Sequence, residues 1–500
     1  MKGKSKKLAA LVLAGFMALG SVSCGATANN TSGSSAGSQT AKSPLDPDNP
    51  TTITIWNYYN GDLLAAFDAL ISEFNSTVGV EEGIAVESIS QGDIGNLADS
   101  LIDAADGKVG AQDLPTLASV YAESAYILEQ KNLLVNLDEY FTAEELSEYI
   151  PDFIEEGRMG KEGDLLLFPV SKSTECFAVN STDCAAFEAA TGMMVQEIDS
   201  YERLTEVAEA YYKWTDSLTP DVAEDGKALY GRDSVGNYIY IGAAQLGHEM
   251  FQVTGENMTM DLDKETFRTL WDNYYIPYIN GYFTSEASYR SEDMKTGIIL
   301  TLTGATSGVS YLPKAVTDIN DVSHDIEIVV EKPLYFENSE KIDVQQGAGY
   351  CVMKGTPQEQ YAAAEFLKWF TQTERNLGFA VSSGYSAVTT AANDPEKIKE
   401  SMASAADSEK EQNILDALLI SADIYRDGQT YMNRPFEGSK SVRSILEHVM
   451  EDTAVKDRAA VADAISQGMS REEATAPYAA DAYFESWFDA MCTSVKEAVQ

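Results

Sequence analysis

Positive charge is scarce in this chain. Against 79 aspartates and glutamates stand 35 lysines and arginines, for a formal net charge of -44. So acidic a surface excludes nucleic acid as a partner, because a phosphate backbone needs a basic face. It also disfavours electrostatic adhesion to anionic lipid. Cysteine is sparse too, with five in 500 residues. Four of them, Cys176, Cys184, Cys351 and Cys492, could pair in three ways, but an exported chain of this size with 44% hydrophobic residues does not need a disulfide framework to fold. The histidines are His248, His324 and His448, far apart, and no Cys/His pair has metal-ligand spacing. No metal site and no cofactor are expected. Long apolar runs are also missing. The run Leu8–Leu19 has 12 residues, short of the ~20 that span a bilayer. No repeat period is visible, which excludes a solenoid.

What is present begins with Lys2, Lys4, Lys6 and Lys7, a basic start ahead of that apolar run. The pattern predicts a signal peptide over residues 1–23. The following "GSVSCGA" resembles a bacterial lipobox, with Ser21 standing where such boxes usually carry Leu. Cleavage before Cys24 and lipidation of its thiol are expected. Residues 24–50 are rich in Gly, Ser, Thr and Asn and read as a flexible tether. Within it "GSSAG", Gly33–Gly37, matches the serine-hydrolase elbow, but a tether offers neither the strand nor the helix that the elbow requires. The mature protein is therefore expected on the outer face of the cell membrane, extracellular in a Gram-positive cell, and in contact with lipid through its anchor alone.

The folded part alternates strand and helix. "TTITIWNYYNGD" reads as a strand, and Leu63, Leu64, Phe67, Leu70, Ile71 and Phe74 then recur at helical spacing behind Asp62, a plausible N-cap. "IAVESIS" and "LPTLASVY" read as further strands, each followed by a helical pattern. "GIILTLTG" and "IEIVVEKPL" are strands, "EQYAAAEFLKWFTQ" is an amphipathic helix, and the chain from about Pro395 is mostly helical. This is an α/β chain with largely parallel sheets.

Several of these stretches resemble bacterial extracellular solute-binding proteins of the maltose-binding-like class, which feed ABC importers. "ITIWNYYNGDLLAAFDALISEFN" resembles the opening of one lobe, and "LPTLASVYAESAYILEQKNLLVNLDEY" the section that presents ligand contacts after its third strand. "LLFPVSKSTECFAVN" resembles the first hinge crossing, "TGIILTLTGATSG" a ligand-facing loop of the second lobe, and "QQGAGYCVMKGTPQEQYAAAEFLKWFTQTERNLGFAVSSGYSAV" the crossing back. Where many members carry a Pro-Asp step, this chain has Pro115-Thr116. The resemblance implies a two-lobed periplasmic-binding-protein-like fold of type II, each lobe a mainly parallel sheet flanked by helices. Lobe 1 would hold residues 51–170 and 345–385, and lobe 2 residues 171–344 and 386–500. It further implies a monomer that is not an enzyme, closes on a small-molecule sugar, and hands it to ABC permease subunits.

Sugar binding calls for flat aromatic faces and planar polar groups. Trp56, Tyr58 and Tyr59 end the first strand, although alternation keeps them from all facing one cleft. Tyr121 and Glu123 match the family's contact loop. Ser173 and Glu175 flank the hinge; Glu175 is either a hydroxyl acceptor or a solvated hinge residue. Arg232 and Asp233 form either a surface pair or a ligand contact, while Tyr238 and Tyr240 read as core. Gln346, with Gly347 and Gly349, sits at the return crossing, where glycine lets backbone approach a ligand. Tyr431 and Asn433 match a cleft-facing segment. In "TLTGATSGVSYLP" the Walker pattern fails, since no glycine stands five positions after Gly304 and no lysine follows. Thr306 and Ser307 there either cap a new helix or touch ligand. A rival reading keeps the fold and binds glycerol 3-phosphate or a related phosphodiester, with Thr303–Ser307, Arg232 and Arg434 as partners. An exported glycoside hydrolase is a remote third, because no carboxylate pair stands out among so many. No catalytic residue is nominated.

Overall fold

The computed structural model describes residues 43–222, 224–255, 257–319, 321–403 and 409–499. The expected signal peptide, the lipidated Cys24 and the tether up to residue 42 lie outside them. In chain order, strand β1 (Thr51–Asn57) leads through helix α1 (Gly61–Ser76) to β2 (Ile84–Ser90), α2 (Ile94–Ala105), β3 (Leu117–Val120) and α3 (Ala122–Gln130). Helix α4 (Pro151–Glu156) and β4 (Phe168–Pro169) follow. The chain then crosses to β5 (Glu175–Asn180), α5 (Tyr201–Ser217), β6 (Tyr230–Arg232), α6 (Val235–Gln245), α7 (Lys264–Ile279), β7 (Thr301–Ala305) and β8 (Ile328–Glu331). It returns through β9 (Ile342–Val344) to β10 (Gly349–Val352), α8 (Pro357–Phe370) and α9 (Thr373–Ser383). Finally come α10 (Glu409–Asp427), β11 (Gln429–Tyr431), α11 (Ser439–Ser466) and α12 (Asp481–Ala498).

Two principal sheets result, each with its own core. The first has the order β2-β1-β3-β10-β4, and β1 runs parallel to β2 and β3. Its covering helices are specified locally. In α1 the residues Phe67, Ile71 and Phe74 recur on one face and bury it. Phe67 meets Phe370 at 5.7 Å and Phe379 at 6.5 Å between ring centres, which draws α8 and α9 over it. Full burial of each such side chain stabilises the fold by about 1.5–3 kcal/mol. Helix α8 starts at a capping box of Thr356 and Glu359 with Pro357 at its first turn. Thr116, standing in place of the family's Asp, ties β1 to β3: its backbone N–H donates to Thr54 Oγ1 at 3.1 Å, and its own Oγ1 accepts from the Thr54 N–H at 3.2 Å.

The second sheet has the order β8-β5-β7-β6. Here the alternation of strand and helix overstates parallel pairing. Only β6 and β7 run parallel, while β5 opposes both β7 and β8. The reason is topological. A parallel neighbour needs a helical crossover, and β5 enters directly from the first lobe, against the direction of the strands it joins. Tyrosines and tryptophans of α5, α6, α7 and α12 fill one side of this sheet, and α10 packs toward the other. Cys176, Cys184, Cys351 and Cys492 are all buried and free. No helix among the described residues is long and apolar enough to cross a membrane.

Three passages between the lobes lie side by side. Ser173 and Gln346 exchange backbone hydrogen bonds at 2.8 and 3.0 Å, and Lys172 pairs with Ser386. Gly347 adopts φ +108, and a Cβ there would stand 3.0 Å from the Ser171 carbonyl, so only glycine lets these segments approach. Gly349, by contrast, lies inside β10, where the Leu167 side chain fills the space beside it. It does not open backbone to the cleft.

Candidate functional site

The passages floor a narrow cleft. Every wall comes from an element whose position the fold dictates. Helix α3 leaves the carboxyl end of β3, which is where open α/β sheets place ligands. It contributes Tyr121, Ala122 and Glu123. Helix α6, capped by Ser234 on the Asn237 N–H, turns Asn237, Tyr240 and Ile241 inward by their three- and four-residue spacing. The returning crossing adds Val344, Gln345, Gln346 and Gly347; α4 adds Glu156; the segment after β11 adds Asn433; β11 itself adds Tyr431 and α11 adds Arg443.

The chemistry is aromatic, amide-rich and charge-balanced. Tyr240 and Tyr431 face one another with ring centres 6.3 Å apart. Tyr240 is 4% exposed, and its hydroxyl has no hydrogen-bond partner within the protein. Burial pushes the Tyr121 phenol up to about 12, with Tyr385 reinforcing the shift. Asn237 donates to Glu175 Oε1 and to Gln346 Oε1, each at 2.9 Å, and Gln346 donates onward to the Thr174 carbonyl at 3.2 Å. Gln345 donates to Glu156 at 3.1 Å.

Each buried charge in or behind the cleft has an answer. Lys172 meets Glu156 and donates to the Gly347 carbonyl at 2.9 Å. Arg232, 2% exposed, pairs with Glu175, 7% exposed. Its other donors reach the Ser234 carbonyl at 2.7 Å and Tyr201 Oη at 3.0 Å. Glu123 accepts from Asn433 at 3.0 Å and stands 3.9 Å from Arg443. Arg443 lies 5.6 Å from the Tyr121 ring centre, within cation–π range. Burial works against its charge, but Glu123, Tyr121 and Glu447 outweigh that and raise its pKa.

Of the residues nominated from sequence, the structure gathers Tyr121, Glu123, Gln346, Gly347, Tyr431 and Asn433 in this lining. Glu175 stands one layer behind, holding Asn237; it is not a solvated hinge residue. Arg232 is no surface partner of Asp233, since it is buried against Glu175, while Asp233 accepts the Arg290 backbone N–H at 2.8 Å. Ser173 is buried and engaged through its backbone with Gln346. Trp56 packs with Leu97, Leu101 and Ala118, and Tyr59 packs edge-on against Phe67 at 5.1 Å. Tyr58 is half-buried, its hydroxyl 3.2 Å from that of Tyr385. Thr306 and Ser307 begin a 3-10 turn, Thr306–Tyr311, with no side-chain cap. Thr306 is buried and its Oγ1 accepts the Thr174 N–H at 3.2 Å, which ties strand to crossing rather than capping a helix. Ser307 lies beside Tyr385.

Sequence reasoning missed Asn237, Gln345, Glu156 and Arg443, and placed Tyr240 in the core. Tyr240 is indeed buried, but it also lines the cleft. The spacing of Asn237, Tyr240 and Ile241 on a helix was the available signal.

Comparison with known proteins fits this geometry. Residues 69–406 match the family described as bacterial extracellular solute-binding protein. Among curated proteins none matches the sequence. The fold is similar to that of the cyclic α-maltosyl-1,6-maltose binding protein from Arthrobacter globiformis, at 14% identity and a TM-score of 0.65 over 90% of this chain and 99% of that one. It is similar to UgpB from Mycobacterium tuberculosis in complex with glycerophosphocholine, at 15% identity and a TM-score of 0.62 over 90% and 100%. An ABC substrate-binding protein from Listeria monocytogenes in complex with cycloalternan matches at 14% identity and 0.60 over 90% and 100%. Identities this low carry the fold alone.

Proposed function

The chain belongs to the bacterial extracellular solute-binding proteins, and from that premise we propose that it captures a neutral carbohydrate, an oligosaccharide, in the cleft and delivers it to an ABC importer permease. The cleft carries this reading through one observation above the others. Tyr240 lines the cleft among tyrosines and side-chain amides, and its buried hydroxyl has no hydrogen-bond partner within the protein. Buried hydroxyls are nearly always hydrogen-bonded, and a sugar hydroxyl would supply the missing partner. The ionic groups support the neutral class. With Glu156, Glu175 and Glu123 already answered by Lys172, Arg232 and Arg443, a ligand with net charge would enter unbalanced.

A second reading, a glycerophosphodiester, draws on Arg443, whose pairing at 3.9 Å is loose. The partners expected for it from sequence give less support. Every Arg232 nitrogen is engaged, and Arg434 is exposed and bound to Glu155 at 2.8 Å. Calorimetry with maltodextrins, other oligosaccharides and glycerol 3-phosphate separates the two. Micromolar binding to an oligosaccharide is expected, and binding to the phosphate compound alone overturns the sugar reading. The anchor rests on Cys24: replacing it by Ser is expected to release the protein into the medium, and unchanged membrane retention would count against lipidation there.

A further inference from the structure

We infer that Arg458, with Arg471 beside it, anchors a binding site for a small oxyanion of the phosphate or sulfate class, apart from the cleft. Three elements assemble it. Arg458 lies on α11, Arg471 opens the helix Arg471–Ala479, and both meet Tyr212 of α5. Arg471 sits 4.4 Å from the Tyr212 ring centre and donates to its hydroxyl. Both arginines favour the ionised form of that phenol, so both charges lie beside it. Gly281, at φ +81, makes room for the arrangement. A Cβ there would stand 2.3 Å from Arg458 Nη2 and 3.2 Å from Tyr212 Cε2.

The two guanidiniums differ in how far the protein answers them. Arg471 is spent: Nε donates to Glu224 at 2.5 Å, Nη1 to the Asn280 carbonyl at 2.6 Å, and Nη2 to Tyr212 and the Glu224 carbonyl. Arg458 is not. Its hydrogen bond, from Nη1 to the Ile279 carbonyl, is long at 3.5 Å, and among the described residues no carboxylate pairs with it. Other buried cations each have one: Lys172 has Glu156, Arg232 has Glu175, Arg290 has Asp293 and Arg443 has Glu123. Acidic residues outnumber basic ones 79 to 35, so the gap at Arg458 does not come from a shortage of carboxylates. Burial and then Arg471 lower its pKa, the reverse of Arg443, whose neighbours raise it. An oxyanion supplies what is missing: negative charge, and paired acceptors for a planar fork of donors. Arg458 is half-buried, so such an ion reaches it from solvent. Neither arginine lines the cleft, and the solute carried there does not account for them.

The test uses the full chain without sugar and inorganic phosphate as the probe, with sodium chloride at equal ionic strength as the reference. Urea unfolding compares the wild type with Arg458→Gln. Phosphate also stabilises proteins generally, through exclusion from their surface, but the two proteins share that effect. A saturable gain confined to the wild type is expected. At about ten times Kd, phosphate should raise its folded-to-unfolded ratio about elevenfold. Isothermal titration of phosphate into the folded wild type gives a second reading that does not depend on the variant. A wild type that gains no more from phosphate than the variant does, or that shows no saturable binding in the titration, overturns the site. Neither result bears on what the cleft takes.

Discussion

The Tyr240 hydroxyl gives the sharpest test of the site, because removing it perturbs binding and folding in opposite directions. The side chain is 4% exposed and its oxygen finds no partner in the protein. An unsatisfied buried hydroxyl is an expense of folding, on the order of 1–3 kcal/mol. Tyr240→Phe keeps the ring, and with it the contacts to Phe251 at 5.9 Å and Tyr431 at 6.3 Å. The unliganded protein should therefore unfold at the same or a higher denaturant midpoint than wild type. Binding should weaken. One neutral hydrogen bond contributes about 0.5–1.5 kcal/mol net, which corresponds to a roughly two- to twelvefold rise in Kd. Isothermal titration with the oligosaccharide identified in the screen, together with urea unfolding of both proteins, gives the two numbers. If the variant binds unchanged and unfolds more easily, the hydroxyl serves the fold and the assignment of this wall to ligand is wrong.

Two further outcomes follow from the groups behind the cleft. Removing one partner of the buried Glu175–Arg232 pair leaves an uncompensated charge, so Glu175→Gln and Arg232→Met should each lower stability by about 3–5 kcal/mol, and the double variant by less than their sum; chemical denaturation measures this, and a Glu175→Gln protein of full stability that has lost binding would make Glu175 a ligand contact instead. Asp343, 4% exposed beside the hinge, has its carboxyl pushed up to about 6, first by burial and also by repulsion from Glu175, against the lowering effect of the Tyr335 hydroxyl that donates to it. Its unfolded pKa is about 3.9, so as pH rises the unfolded chain gives up this proton first and stability is lost between about pH 4 and 6. Asp343→Asn should then be more stable than wild type at pH 7 by up to ~3 kcal/mol, with the gap closing below pH 4. Urea unfolding across that range checks it, and an Asn variant less stable at pH 7 contradicts the sign.

How much of this the sequence displayed depends on how locally each feature is encoded. The Phe67, Ile71 and Phe74 stripe of α1 and the Thr356-Pro357-x-Glu359 start of α8 are short-range patterns, and both helices formed over them, although α1 begins at Gly61 behind Asn60 and not behind the expected cap Asp62. The opposition of β5 to its neighbours was invisible, because strand direction depends on how the chain arrives, not on which residues it carries. Tyr121 and Glu123 were reachable because they follow a strand at the end where ligands gather. Arg443 was not, for its meaning lies in Glu123 and Tyr121, more than 300 positions away. Arg232 and Asp233 misled for the same reason: adjacency in sequence suggested a pair, while the strand turned Arg232 inward to Glu175 and left Asp233 to Arg290.

Net charge was the other partial guide. A balance of -44 describes the surface correctly and says little about the cleft, where the few cations are placed with care. Lys172, Arg232 and Arg443 each stand against one carboxylate. Pairing at such depth follows from desolvation, since an unpaired carboxylate there would be far costlier than a paired one. The inner two pairs are rigid, with both members largely buried and further held by Gln345, Asn237 and Tyr201. The third, Glu123 with Arg443, is longer and shared with Asn433. On the proposed reading, these pairs leave a ligand to be met by the tyrosines and side-chain amides of the lining.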